Sequence, residues 1–142
     1  MPVPVERRDH VLTVIHSRAE ARNAADPEHA RALYEAFVAF DKDEATDVAV
    51  FWGEGGAFCA GADLKSRAIR GIATRDNART HSSLVFPTDG GPVPRGPMGP
   101  SRLTLGKPVI AGIEGAGGRR RHGACALGRL PHHGRRLLYG RL

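Results

Sequence analysis

The sequence predicts an α/β domain, because strand-like and helix-like segments alternate along most of its 142 residues. Residues 10–16 are rich in β-branched side chains, and residues 48–52 and 107–115 are short apolar runs, as is typical of strands. Residues 26–41 carry apolar side chains at helical spacing, and residues 64–84 are a weaker helical segment. We find no internal repeat. The alternation of strands and helices favours a parallel sheet covered by helices.

The start of the first helix is well marked. Asp26 is a typical N-cap, Pro27 suits the first helical position, and Glu28 places a negative charge in the first turn. The apolar residues that follow at helical spacing are Ala30, Leu33, Tyr34, Phe37 and Val38. We therefore expect one face of this helix to pack on a core and the helix to end near Asp41.

The later segments contain both buried strands and turns. The runs VAVFW (48–52) and KPVIAGIEG (107–115) are continuously apolar, which favours strands that are buried on both faces. GEGG, residues 53–56, is expected to form a turn, since glycine accepts positive φ. Residues 86–101 contain too many Pro and Gly for regular structure and are expected to form a loop.

The net charge of +6 comes entirely from the C-terminal end. From Gly115 onward there are seven Arg and no acid, so that 14 of the 21 basic residues and all 15 acidic residues precede it. No run approaches the ~18 apolar residues that indicate a membrane span, so we expect no membrane partner. The N-terminal residues have no apolar block of a secretory signal, and Cys59 and Cys125 form no motif. A cytoplasmic protein is the expectation.

The segment AFCAGADLK, residues 57–65, is the most informative. Its small residues follow a strand and a glycine turn, and Asp63 is a good N-cap for a helix beginning at Leu64. Backbone N–H groups ahead of a helix lack partners within it, and they can stabilise a developing negative charge. A tight turn with small residues chosen only for packing is the alternative, and the residues alone leave both open.

Several motifs in sequence order resemble the crotonase family, the enoyl-CoA hydratases and isomerases. They are the EARNA loop (20–24), the helix that begins with Asp-Pro, the run VAVFWGEGGAFCAGADLK (48–65) and the run GPMGPSRLTLGKPVIAGIEG (96–115). The resemblance covers nearly all of residues 11–115. It departs at Ala19, where the family usually has Pro.

The resemblance implies a fold of ββα units in a spiral and an acyl-CoA thioester as ligand. Coenzyme A is then part of the substrate, and no separate cofactor is expected. The Ala60 N–H would be one of two catalytic donors to the thioester oxygen, and Arg22 would contact a phosphate of the CoA nucleotide. A solvated loop cation is the alternative for Arg22. The other residues expected to line the pocket are Gly61, Ala62, Asp63 and Leu64.

The tail departs from the family pattern. In the family, the strand that ends in Glu-Gly continues into a motif that supplies the second donor glycine and a glutamate that moves protons. Here Gly117 and Gly118 arrive three residues too early, and no acid follows them. We therefore expect residues 1–115 to be an incomplete N-terminal part of a crotonase-like domain. Residues 116–142 would be an irregular, disordered basic tail.

A shifted reading frame accounts for this departure. If each codon of the tail is read from its second base, the genetic code permits AVAGGMELALW, which restores the family motif at the expected place. In the shifted frame, the codons for His122 and Gly123 allow only Met or Thr, and those for Cys125 and Ala126 allow only Ala or Val. Both restricted positions are compatible with the Met and the Ala of this motif. We hypothesise a one-nucleotide insertion near the codons for residues 116–118.

The sequence thus predicts an enoyl-CoA hydratase or isomerase whose truncation leaves little or no activity. Two alternatives stay open, namely a CoA-ester-binding pseudoenzyme and a small basic protein whose arginine-rich tail contacts nucleic acid. We expect no nucleic-acid partner, since the tail lacks interleaved aromatic residues. His122, Cys125, His132 and His133 fit no familiar ligand spacing, so no metal is expected. The intact family implies a homo-oligomer, and whether this chain assembles stays open.

Overall fold

The computed structural model describes residues 3–65, 95–96, 98–114 and 138–140. Five strands and one long helix occur in these ranges, with short 3₁₀ turns at Ala19–Ala21 and Pro100–Arg102. The predicted helix beyond Lys65, most of the predicted loop 86–101 and most of the tail lie outside the described residues. The elements in chain order are β1 (Val5–Arg8), β2 (Val11–His16), α1 (Pro27–Lys42), β3 (Val48–Gly53), β4 (Val109–Gly112) and β5 (Leu138–Gly140).

The strands form one sheet in the order β1-β2-β3-β4-β5. β1 runs antiparallel to β2, and the other three pairings are parallel, which confirms the predicted parallel sheet. The register places Val14 beside Phe51 and Phe51 beside Ala111. Because side chains alternate between the faces of a strand, these three residues lie on one face of the sheet.

Helix α1 begins where the sequence predicted. The Asp26 carboxylate accepts a hydrogen bond from the His29 N–H at 2.7 Å, as an N-cap does. The helix ends at Lys42, one residue beyond the prediction. Its last turn is tied to the approach to β4, because the Lys107 ammonium donates to the Phe40 carbonyl at 2.9 Å. The same carbonyl accepts from the N–H of the C-cap residue Asp43 at 3.2 Å, so two donors hold the end of the helix.

The core lies between α1 and one face of the sheet. Phe37 of α1 meets Phe51 of β3 edge to face, with ring centroids 5.2 Å apart, and Phe58 meets Phe51 at the same distance. Each fully buried Leu, Val or Phe side chain contributes about 1.5–3 kcal/mol to folding. The large side chains that are almost fully buried are Phe37, Phe40, Phe51, Phe58, Leu33 and Val14.

The prediction that residues 48–52 are buried on both faces is wrong. Burial alternates along β3, with Ala49 and Phe51 buried and with Val48, Val50 and Trp52 only partly covered. Within the described part of the chain, α1 covers the face that carries Phe51. The opposite face has less covering it, so its apolar side chains keep some contact with water.

Two strands were not predicted. β1 is an exposed edge strand of sequence VERR, and its charged residues gave no apolar pattern. β5 lies within the tail that was expected to be irregular, and Leu138 pairs with Ile110 in parallel. The prediction of an irregular tail is therefore wrong for residues 138–140, where the open edge of β4 supplies backbone partners.

Candidate functional site

Asn23 joins the loop after β2 to the segment after β3. Its side chain is fully buried, and its Nδ2 donates to the Glu54 carbonyl at 2.8 Å and to the Ala57 carbonyl at 2.7 Å. Its Oδ1 accepts from the Arg18 N–H at 2.8 Å. Three hydrogen bonds satisfy this buried amide, so the loop has a fixed position beside the predicted site.

The prediction that the Ala60 amide is a free donor is wrong. The Ala60 N–H donates to the Arg22 carbonyl oxygen at 2.9 Å. An amide with this partner is not available to a ligand unless the bond breaks. The contact instead holds the small-residue segment against the EARNA loop.

The amide at Ala62 has the geometry that was predicted for Ala60. Ala25 forms a parallel bridge with Ala62, in which the Ala25 N–H donates to the Gly61 carbonyl and the Ala25 carbonyl accepts from the Asp63 N–H. These bonds measure 2.8 and 2.9 Å. In a parallel bridge the peptide groups of the central residue point away from the partner strand. The Ala62 N–H accordingly has no hydrogen-bond partner among the described residues.

Gly61 produces the change of direction between the two amides. Its φ of +97° is a conformation that side-chain-bearing residues rarely adopt. The Ala60 N–H consequently points toward the EARNA loop, while the Ala62 N–H points away from it. The Gly61 N–H donates to the Cys59 thiol sulfur at 3.3 Å, so it too is occupied. Of the three successive amides at Ala60, Gly61 and Ala62, that of Ala62 is the one without a partner within the described chain.

A helix begins immediately after this donor, as predicted. Leu64 and Lys65 are helical, and the Lys65 N–H donates to Asp63 Oδ1 at 3.0 Å. This contact confirms Asp63 as an N-cap. The Leu64 side chain is 74% exposed. The Ala62 amide therefore lies directly before the capping residue of these two helical residues.

Arg18 is central to the site, and reasoning from the sequence missed it. Its Nη2 lies 3.2 Å from Asp63 Oδ2 and 3.3 Å from Asp26 Oδ2, and its Nη1 donates to the Ala24 carbonyl. The side chain is 17% exposed, so these contacts are partly shielded from water. Its contacts with Asp26 and Asp63 join residues that are distant in the sequence, so no local pattern marked Arg18.

Arg22 lies at the edge of the site. It has a left-handed backbone with φ of 51°, and its side chain is exposed. Its guanidinium has no partner among the residues that the structure describes. The nearby Glu20 carboxylate lies 3.8 Å from Arg18 Nε instead. The predicted phosphate contact of Arg22 stays a prediction.

Two buried histidines lie behind the site. Nδ1 of His16 is 2.9 Å from Nε2 of His29, and the His16 ring also contacts Phe51 and Phe58. Burial, with the nearby His29, lowers the pKa of His16 from 6.5 to about 3. Burial and then the positive charge of Arg18 lower the pKa of His29. Both rings are therefore neutral at pH 7.

Other features of the described residues lie away from the site or carry no chemistry. A groove of about 560 Å³ lies between α1 and the β1–β2 edge, and none of the predicted site residues lines it. Within the described ranges no group of three His, Cys, Asp or Glu side chains could hold a metal ion. No helix in those ranges is long and apolar enough to cross a membrane.

Together these features define an α/β protein in which the Ala62 N–H lies directly before the first residues of a helix. The chain belongs to the enoyl-CoA hydratase/isomerase family, whose profile matches residues 6–85. The expected family is confirmed, and the fold is an incomplete crotonase fold.

Named relatives support this membership. The chain is 36% identical over 120 residues to the enoyl-CoA hydratase EchA19 of Mycobacterium tuberculosis, an alignment that covers 78% of this chain and 38% of that protein. It is 34% identical over 116 residues to the (E)-benzylidenesuccinyl-CoA hydratase of Thauera aromatica, covering 81% of this chain and 40% of the relative. The chain thus spans about two fifths of the length of these relatives.

A solved structure gives the same result for the fold. The crystal structure of an enoyl-CoA hydratase from Mycobacterium tuberculosis H37Rv matches with a TM-score of 0.59 and 34% sequence identity. The match covers 80% of this chain and 38% of that chain. More than half of that structure's length therefore has no counterpart in this chain.

Proposed function

We propose that the described part of the chain is half of an acyl-CoA thioester site, in which the Ala62 N–H donates to the thioester oxygen. The observation that carries the proposal is the parallel bridge between Ala25 and Ala62, which turns the Ala62 amide away from the protein backbone. Asp63, which directly follows Ala62, caps the helical residues Leu64 and Lys65. Ala60 is replaced as the donor, because its N–H is bonded to Arg22.

The chemistry of a thioester explains why such a donor matters. When a nucleophile adds to the double bond of a 2-enoyl thioester, negative charge moves onto the thioester oxygen. A preorganised N–H stabilises that charge in the transition state more than in the ground state, and removing one such donor costs ~10²–10³ in kcat. Ala62 supplies one donor of this kind.

The intact parent is proposed to hydrate a 2-enoyl-CoA or to shift its double bond. That reaction needs a second donor and acids that move protons, and the sequence after Gly115 contains no Asp or Glu. We infer that this chain binds acyl-CoA with little or no turnover. Coenzyme A is part of the proposed substrate, and no separate cofactor or metal is proposed.

A backbone substitution tests the donor directly. Replacing Ala62 by lactic acid exchanges its amide for an ester and removes the N–H while keeping the methyl side chain. The matched control makes the same replacement at Ala60. Calorimetry then measures the affinity of each protein for butyryl-CoA and for S-butyl-CoA, in which a methylene replaces the thioester carbonyl. The ratio of these affinities is called the thioester preference below.

The two esters are expected to behave differently. The ester at Ala62 should abolish the thioester preference, since the N–H that contacts the carbonyl is missing. The ester at Ala60 should keep the preference and lower the free energy of unfolding by about 1 kcal/mol, because it removes the bond to the Arg22 carbonyl. A full preference in the Ala62 ester would refute the proposed donor.

A further inference from the structure

Arg18 connects the starts of two helices. Asp26 caps α1 and Asp63 caps the helix that begins at Leu64, and both carboxylates lie within 3.3 Å of Arg18 Nη2. The same guanidinium donates to the Ala24 carbonyl through Nη1. One side chain thus holds the two N-caps and the backbone just before the first of them.

These contacts lie on both sides of the bridge that directs the Ala62 amide. On one strand of the bridge, Arg18 holds the Ala24 carbonyl, in the peptide that supplies the Ala25 N–H. On the other strand it holds Asp63, whose N–H donates to the Ala25 carbonyl. A shift of either strand would turn the Ala62 N–H, because its direction depends on both Ala25 bonds.

We propose that Arg18 is a positioning residue for the thioester donor. Its planar fork fixes the two backbone segments whose pairing directs the Ala62 N–H toward the acyl carbonyl. The inference rests on the proposed function, because it gives Arg18 its role through that donor. Arg18 itself is not proposed to touch the ligand.

The role requires an arginine and not simply a positive charge. A guanidinium presents several N–H groups in fixed directions in one plane, and Arg18 uses them on a carbonyl and two carboxylates. A lysine would be a single flexible point charge and could not hold all three acceptors in the same geometry. Asn23 separately ties the loop to Glu54 and Ala57, so the loop keeps contacts when the fork is lost.

The test compares three variants of the full chain. Arg18→Lys keeps the charge and removes the fork. Arg31→Lys is the matched control, since Arg31 is 66% exposed on α1 and pairs only with Glu35 among the contacts described for it. Asp63→Asn removes the carboxylate that Arg18 holds, while Asn remains a good N-cap. Circular dichroism checks the fold of each, and calorimetry measures the thioester preference.

The unsubstituted chain and Arg31→Lys should bind butyryl-CoA about fivefold more tightly than S-butyl-CoA, as one neutral hydrogen bond allows. Folded Arg18→Lys should bind the two ligands about equally, with its affinity for S-butyl-CoA nearly unchanged. A purely structural arginine would weaken both ligands together. Folded Arg18→Lys that kept the fivefold preference would overturn the inference.

The remaining outcomes are also decisive. If Arg18→Lys does not fold, Asp63→Asn decides, because a lost preference supports the inference and a retained preference overturns it. If the unsubstituted chain shows no thioester preference, the proposed function fails, and the role of Arg18 fails with it. That result is visible before any variant is made, so the two failures are distinguishable.

Discussion

His16 Nδ1 lies 2.9 Å from His29 Nε2, and the two rings stack with centroids 5.0 Å apart. One ring must donate and the other accept, so the pair is satisfied when both are neutral. The fold therefore opposes protonation of both histidines. Burial is the main cause, and for His16 it lowers the pKa from 6.5 to about 3.

Because both histidines are held neutral in the folded chain, we expect the free energy of unfolding to fall as the pH falls. An unfolded chain takes up a proton on His16 near pH 6.5, whereas the folded chain does so near pH 3, so the unfolded state binds more protons between these values. The free energy of unfolding should be flat above about pH 6.5 and should fall below it by about 1.4 kcal/mol per pH unit for His16 alone. The lowered pKa of His29 adds to the slope in the same direction.

Urea unfolding between about pH 5 and pH 7 measures the effect before most carboxylates titrate. His16→Phe keeps an aromatic ring against Phe51 and Phe58. In this variant, the unfolding free energy should change with pH only as much as the titration of His29 requires. Phe51→Leu is the control, because it weakens the same cluster without removing a titrating group. An equal slope in His16→Phe and the unsubstituted chain would contradict the prediction.

Asn23 is expected to be the most sensitive polar residue of the loop. Asn23→Ala leaves the Glu54 and Ala57 carbonyls and the Arg18 N–H without their partner. The free energy of unfolding should fall by about 2–4 kcal/mol, as is usual for breaking a buried network.

The left-handed backbone of Asn23 offers a matched comparison. Its φ of 57° costs alanine about 1–2 kcal/mol but does not strain glycine. Asn23→Gly should therefore be less destabilising than Asn23→Ala, although both lose the same hydrogen bonds. Equal losses in urea unfolding would show that backbone strain plays no part at this position.

The expected contact of Arg22 with the CoA nucleotide has its own test. Arg22→Gln should weaken butyryl-CoA binding about fivefold at low salt, and added salt should reduce the difference, because the contact is exposed. Binding of butyryl-pantetheine, which lacks the nucleotide, should be unchanged. If Arg22→Gln had the same affinity as the unsubstituted chain in calorimetry, Arg22 would be only a solvated cation of the loop.

The sequence predicted the elements that local chemistry determines. Asp26 and Pro27 marked the start of α1, and the apolar runs marked β2, β3 and β4 within a few residues. β1 was missed, because an edge strand with four exposed residues has no apolar pattern. The burial of β3 was overestimated, because a sequence does not show which face of a strand another element covers.

The proposed donor, Ala62, lies two residues from the one that the sequence predicted. The cap at Asp63 was predicted correctly, but the Ala60 N–H, which was predicted as the donor, is bonded to the Arg22 carbonyl. Which amide is open depends on the φ of Gly61 and on a bridge to Ala25, and a side-chain pattern encodes neither. Arg18 was missed for a similar reason, since its partner Asp63 lies 45 residues away in the sequence.

The tail leads to the last prediction. The chain should hydrate crotonyl-CoA at no measurable rate, because its sequence after Gly115 supplies no acid to move the proton. The loss of enoyl absorbance after addition of protein measures this.

Removing one nucleotide near the codons for residues 116–118 should restore the E-L-A motif and, with the remainder of the reading frame, hydration. Substantial turnover by the present chain would contradict the prediction, and a stop codon soon after the shift would refute the proposed insertion. A repaired frame that encoded the glutamate yet stayed inactive with a normal fold would count instead against the hydratase assignment.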